Sequence, residues 1–92
     1  MKRRIAVTGL GEFGSSLVSW ILSGKMNVET LCCVEPDRSK HRKDLTCYAS
    51  WTEVPESLRA EIDVVVDCAA RGCGPENLRL YQQLELPAVF QN

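Results

Sequence analysis

An α/β fold with about five short strands in a doubly wound parallel sheet is predicted for this chain by three features of its sequence. Short apolar runs rich in β-branched residues alternate with segments of helical periodicity, the pattern of strand, crossover helix and parallel strand. The run Ile62-Asp63-Val64-Val65-Val66-Asp67-Cys68-Ala69 is nearly continuous in valine, as suits a central parallel strand covered on both faces. Directly after the first apolar run comes Gly9-Leu10-Gly11-Glu12-Phe13-Gly14, a complete GxGxxG. Short connections and right-handed crossovers arrange such a series in the strand order 3-2-1-4-5.

The elements follow in chain order. Lys2 to Arg4 give a charged entry, Ile5-Ala6-Val7-Thr8 the first strand, and Gly9 the start of a turn. Leu17, Val18, Trp20, Ile21 and Leu22 then recur at helical spacing, with the stripe Leu17, Trp20 and Ile21 read as core, and Gly24 is the helix stop. The second strand runs from Val28 through Leu31, Cys32, Cys33 and Val34, ending at Glu35. Asp37 to Asp44 is polar, Thr46-Cys47-Tyr48-Ala49 forms a brief third strand, and Pro55 to Arg59 a helical turn begun near Thr52. After the valine strand, Arg71-Gly72-Cys73-Gly74 is a glycine-rich loop. Pro75 opens a helix through Leu78, Leu80, Tyr81 and Leu84, and Pro87-Ala88-Val89-Phe90 is the fifth strand. There is no internal repeat, low-complexity stretch or linker, so residues 1–92 read as one domain.

The glycine motif is where chemistry enters. Between a strand and a helix, its glycines give a tight turn, close approach of backbone to a pyrophosphate, and close helix-to-strand packing. The helix that follows aims its unpaired amides at the phosphates, where its dipole favours negative charge. Glu35 lies 21 residues past Gly14 at the end of the second strand, where a carboxylate accepts hydrogen bonds from the adenosine ribose. This makes a Rossmann-like dinucleotide-binding domain the expected fold. The expected contacts are Gly9, Leu10, Gly11, Glu12, Phe13 and Gly14 on the phosphates, and Glu35 on the ribose. Across the crevice at the carboxyl ends of strands 1 and 4 stand Ala69 and Arg71, the latter read first as a solvated surface arginine and second as a guanidinium offered to an anion. Arg38, Lys40, His41, Arg42 and Lys43 form a basic cluster. They read as a solvated face, with Arg38 kept as a candidate for a 2'-phosphate. Glu35 opposes such a phosphate, so NAD is expected, with NADP as the alternative.

Composition narrows the function classes. With 45% hydrophobic and 25% charged residues the chain is globular, and a formal net charge of -1 gives no general attraction to nucleic acid or anionic membrane. Neither a membrane-length apolar run nor a signal-peptide pattern is visible, which implies a cytoplasmic location. The five cysteines (32, 33, 47, 68 and 73) and the single His41 lack the spacing of a zinc site. Cys32 and Cys33, adjacent in a strand, point to opposite faces, and with Cys47 they read as small buried hydrophobes. Cys73 differs in sitting between two glycines in an exposed loop; a reactive role there is the lesser reading, since only nearby Arg71 is at hand to activate it.

Several segments resemble the archaeal type of glyceraldehyde-3-phosphate dehydrogenase. These are Ile62 to Asp67, Gly72, Gly74, Asn77-Leu78, Tyr81, Ala88-Val89-Phe90-Gln91, and the opening Val7 to Gly14. The resemblance covers about half the chain, all within that enzyme's nucleotide-binding domain. It implies an NAD(P)-binding domain of an oxidoreductase, with Gly9 to Gly14 cradling the pyrophosphate. It also implies that the catalytic domain, with its nucleophilic cysteine and general-base histidine, lies outside these residues, so the chain alone is inactive. Val34-Glu35-Pro36-Asp37 is similar to the second-strand end of sugar and inositol dehydrogenases, which fit the last thirty residues less well. A second reading is a non-catalytic interaction protein that forms homo-oligomers or joins a dehydrogenase subunit through the edge of the fifth strand. A third is a small enzyme using Cys73.

Overall fold

The computed structural model describes residues 2–70 and 72–91. Strand β1 (Arg3–Thr8) lies at the centre of a sheet completed by β2 (Val28–Val34), β3 (Cys47–Tyr48), β4 (Val64–Asp67) and β5 (Ala88–Phe90). All pairings are parallel and the order is β3-β2-β1-β4-β5, as the sequence predicts. Helix α1 (Glu12–Leu22) links β1 to β2, while the four-residue α2 (Glu56–Arg59) precedes β4 and α3 (Gly74–Gln83) links β4 to β5. Because the chain moves outward to β3 and then returns to the other side of β1, right-handed crossovers put α1 on one face and the later helices on the opposite one.

Two cores result, one on each face. Ala6, Cys32 and Val65 pack with Trp51, Val54 and Tyr81 beneath α2 and α3. Ile5, Val7 and Cys33 pack with Leu10, Val18 and Ile21 beneath α1. The neighbours Cys32 and Cys33 are both fully buried, one in each core, as strand alternation requires. Burying each such valine or isoleucine contributes about 1.5–3 kcal/mol, so the paired layers carry most of the driving force.

The connection from β2 to β3 contains only a 3-10 turn, Arg38–Lys40, in place of a helix. Arg42 ties this segment to α1: Nη1 donates to the Ser15 carbonyl at 2.8 Å and to Ser19 Oγ at 2.9 Å. Its Nε and Nη2 grip the Asp44 carboxylate, both at 2.8 Å. One member of the basic cluster is therefore a structural strap and not a solvated charge.

The α1 face is only half covered. Gly14, Val18 and Ile21 point inward, but Trp20, expected in the core, is 54% exposed, and Leu22 is 47% exposed. A helix about 10 Å across spans roughly two strands at about 4.8 Å spacing, and α1 sits over β1 and β2. Val64 and Val66 of β4, expected to be covered on both faces, are half-buried. Beside them an apolar groove of about 340 Å³ runs between α1 and β5, walled by Phe13, Leu17, Val66, Val89 and Phe90.

Candidate functional site

Where the strand order reverses, at the carboxyl ends of β1 and β4, the structure has a cleft of about 480 Å³. This is the place where open parallel sheets receive ligands, because the loops on either side diverge there. Gly9 and Gly11 line it from the first turn, Glu35, Pro36 and Lys40 from beyond β2, and Ser50 and Trp51 from beyond β3. Cys68, Ala69 and Ala70 follow β4, and Cys73, Glu76 and Asn77 come from the start of α3.

The first turn is shaped by what its glycines lack. Gly9 has φ +91°, and its N–H donates to the Val34 carbonyl at 2.8 Å, which bends the chain sharply off β1. A Cβ on Gly14 would stand 1.9 Å from the Gly9 carbonyl oxygen, so α1 approaches the turn as closely as backbone allows. Gly11 is different: a Cβ there would meet nothing within 4 Å, because it would project into open space at the cleft. Gly11 is also the N-cap of α1 without a side-chain cap, and the first bond back into the helix is Ser15 N–H to the Gly11 carbonyl at 2.9 Å. The amides of Glu12, Phe13 and Gly14 are thus the orphan donors that any helix start leaves.

Glu35 closes the other side. Although only 7% exposed, it lines the cleft. Its Oε1 accepts from the Leu10 amide and its Oε2 from the Asp37 amide, each at 2.8 Å. The same residue is held by its own backbone, with its N–H donating to the Tyr48 carbonyl at 2.8 Å and His41 Nε2 donating to its carbonyl at 2.7 Å.

The expected contacts therefore separate into groups. Gly9, Gly11, Glu35 and Ala69 meet at the cleft wall. Leu10 puts its side chain in the α1 core and its amide on Glu35, and Gly14 is a packing position. Glu12 and Phe13 bring backbone amides only: both side chains are exposed, and the Phe13 ring lines the apolar groove. The structure does not bring Arg38 to the cleft wall; its guanidinium is 3.6 Å from Glu53. Arg71 lies outside the described residues. Lys40, read from sequence as solvated, reaches the cleft because Asp37 caps the 3-10 turn, its Oδ1 accepting from the Ser39 amide at 3.0 Å. The signal was the Asp-x-Ser spacing, a side-chain-to-backbone turn motif.

Beneath the cleft lies a buried polar chain that sequence reasoning missed. Trp51 Nε1 donates to Thr8 Oγ1 at 3.2 Å, and Thr8 Oγ1 is 2.8 Å from the Tyr81 hydroxyl. Tyr81 has one proton, and the shorter contact gives it to Asp67 Oδ2 at 2.6 Å, leaving Thr8 to donate to the phenol oxygen. Asn77 Nδ2 and the Ala69 amide also donate to Asp67, at 3.0 and 2.9 Å. The network joins β1, β4 and α3 under the ligand wall.

This burial has an alkaline signature. Desolvation first, then the bond to Asp67, pushes the Tyr81 phenol far above its ordinary 10.0. Burial, with Cys47 second, lifts the Cys32 thiol from 9.0 to about 11, and burial likewise pushes Cys33 up. Above pH 9 the unfolded chain loses protons that the folded one keeps, so stability falls as pH rises through about 9 and 10 and onward. Urea midpoints are expected to decline from pH 9 to 11, and less steeply above 10 in Tyr81→Phe. Flat midpoints over that range would contradict the buried placement.

Among the described residues, no group of three or more His, Cys, Asp or Glu gathers as a metal site. No helix among them is long and apolar enough to cross a membrane.

No protein-family model matches the chain. A curated relative, glyceraldehyde-3-phosphate dehydrogenase of Methanothermus fervidus, is 23% identical over 107 aligned positions, covering 97% of this chain and 32% of that protein. Among solved structures, myo-inositol 2-dehydrogenase from Lactobacillus plantarum superposes with a TM-score of 0.75 at 17% identity, over 98% of this chain and 28% of that one. The WlbA dehydrogenase from Bordetella pertussis, solved in complex with NADH and UDP-GlcNAcA, gives 0.75 at 14% identity with the same coverage. At such identities the likeness is one of fold, and it is shared by several dehydrogenases without singling out the glyceraldehyde-3-phosphate enzyme. The chain spans about a third or less of the length of each of these proteins.

Proposed function

We propose that residues 1–92 form the nicotinamide-dinucleotide-binding domain of an oxidoreductase. One arrangement carries this reading: Gly11, the N-cap at the uncapped start of α1, and Glu35 line a single cleft, and no side chain at position 11 fills the room between them. Three first-turn N–H groups offer a pyrophosphate its hydrogen bonds with the helix dipole behind them. Glu35 has about four acceptor positions, of which backbone amides use two, and the remainder suit the two hydroxyls of a ribose. Such a cofactor supplies hydride transfer when bound; these residues bind and orient it. The relatives add support by fold, and the two WlbA dehydrogenase structures, from Bordetella pertussis and from Chromobactrium violaceum, were solved with NADH.

Within this proposal NAD is favoured over NADP, because a 2'-phosphate would approach a buried carboxylate, with the exposed Lys40 a weaker counterweight at the rim. The substrate and the groups that act on it belong to a further domain, of a kind resembling glyceraldehyde-3-phosphate or sugar dehydrogenases. The interaction-protein reading is not favoured: β5 offers an edge of three residues, whereas the cleft is open and furnished with donors.

Calorimetric titration tests the proposal. NAD is expected to bind, and NADP about tenfold or more weakly, a factor equal to about 1.4 kcal/mol. Gly11→Val is expected to keep the circular dichroism of the wild type and most of its urea midpoint, since a Cβ at this position meets no atom within 4 Å and the loss is that of a weaker N-cap. Its NAD affinity should fall at least about tenfold, because the new side chain fills the phosphate's place. No heat with either dinucleotide at millimolar concentration would remove the proposal, and so would an unchanged affinity in Gly11→Val.

A further inference from the structure

The side chain of Glu35 reaches back across the sheet to take the N–H of Leu10, and Leu10 is not a ligand-facing residue: it is 4% exposed, with its side chain in the α1 core. The Gly9–Leu10 peptide is a planar trans unit, so its N–H and C=O point in opposite directions. With the N–H held on Glu35, the Gly9 carbonyl is directed toward Gly14, into the space that a Cβ at Gly14 would occupy at 1.9 Å. One carboxylate and one absent methyl thus fix the two ends of the same peptide plane.

Resting on the dinucleotide reading, we infer that Glu35 is a positioning residue for the phosphate turn as well as an acceptor for the ribose. It holds the Gly9–Leu10 peptide so that the Gly9 carbonyl faces α1 and stays out of the cleft. Gly9, with φ +91° and no side chain, sits in a backbone region where rotation of that plane is cheap, so an outside restraint is needed. If the plane turns, a carbonyl oxygen enters the path of the pyrophosphate and opposes the charge that the α1 amides attract. The Glu35 side chain suits this task because the backbone on either side of it is pinned by Tyr48 and His41. It follows that cofactor choice cannot be altered at position 35 without disturbing phosphate binding, and a change meant to admit a 2'-phosphate should weaken both dinucleotides.

The test compares wild type, Glu35→Ala and Glu35→Gln with two ligands: NAD, and an NAD analogue whose adenosine ribose lacks both hydroxyls. If the carboxylate only reads hydroxyls, the analogue binds all three proteins alike, and the inference is overturned. If it also positions the turn, Glu35→Ala weakens the analogue at least about tenfold, a change calorimetry resolves. Amide hydrogen exchange in the ligand-free protein gives an independent readout. Leu10 should be protected in wild type, unprotected in Glu35→Ala, and intermediate in Glu35→Gln, whose single carbonyl oxygen can serve only one of the two amides. Unaltered protection of Leu10 in both variants overturns the inference even if binding falls. Should wild type bind neither ligand, the dinucleotide reading fails, and with it the inferred role in binding, while exchange at Leu10 still decides what sets the peptide plane. Glu35→Gln, nearly the same size as the native residue, keeps the comparison valid should Glu35→Ala unfold.

Discussion

Replacing Gly14 with alanine is expected to unfold the domain or bring it close to unfolding, the largest effect of any single methyl group in this chain. The added carbon would lie 1.9 Å from the Gly9 carbonyl oxygen, 3.0 Å from its carbon and 3.3 Å from Cys68 Cβ. None of these neighbours can withdraw cheaply. Gly9 is tied to Val34 through its N–H and is itself 2.8 Å, measured from its own would-be Cβ, from the backbone of Ala69. Helix α1 must therefore move off β1, giving up contacts of the buried Val18 and Ile21. Overpacking of this kind costs about 3 kcal/mol or more, against a total of roughly 5–15 kcal/mol for a domain. Urea denaturation should show the lost midpoint, with Gly11→Ala, which meets no atom, as the matched control. Equal midpoints for the two variants would mean that α1 is not locked against the turn.

The second large loss is expected for Asp67→Ala. This carboxylate is 4% exposed and accepts from Tyr81, Asn77 and the Ala69 amide. Truncation leaves the buried Tyr81 hydroxyl without its acceptor and takes from the half-buried Asn77 amide its partner. Each unsatisfied buried group costs about 1–3 kcal/mol, so a loss of about 3 kcal/mol is expected. Tyr81 can turn its proton to Thr8 Oγ1, which has two acceptor positions, but the Thr8 proton then loses the phenol oxygen, so one donor of the chain still lacks its partner. Asp67→Asn should fall between variant and wild type, since one of its two terminal atoms becomes a donor facing donors. The NAD affinity of Asp67→Ala should fall too, because the network steadies the start of α3 and the loop through Ala69. A midpoint shift equivalent to less than about 1 kcal/mol would show that the bonds are worth no more than their replacement by solvent.

Much of this architecture is legible in the residues alone, for local reasons. The glycine spacing fixes a turn between strand and helix, the valine run fixes a central strand, and the adjacent pair Cys32 and Cys33 divides itself between two cores because strand side chains alternate. What escapes the sequence is what depends on distant partners. Trp20 looks like core by helical spacing, yet which flank of α1 is covered depends on how many strands one helix can span. Arg42 belongs to a run of basic residues, and only the fold brings it to Ser15 and Ser19. Asn77 and Tyr81 share a helix face, which local spacing shows, but their meeting with Asp67 and Thr8 is a product of strand order. Glu35 could be placed by its distance from the glycines; that it would grip Leu10 could not.

Residue 13 has a foot in two places. Its peptide nitrogen is one of the unpaired donors of the first turn of α1, whose N-cap Gly11 lines the cleft, while its ring forms part of the greasy trough along the far flank of the same helix. The first turn of α1 is thus a party wall between a wet room and a dry one. Pressure applied from the dry side, by anything that settles against that ring, bears on the same turn that the proposed dinucleotide would meet from the other.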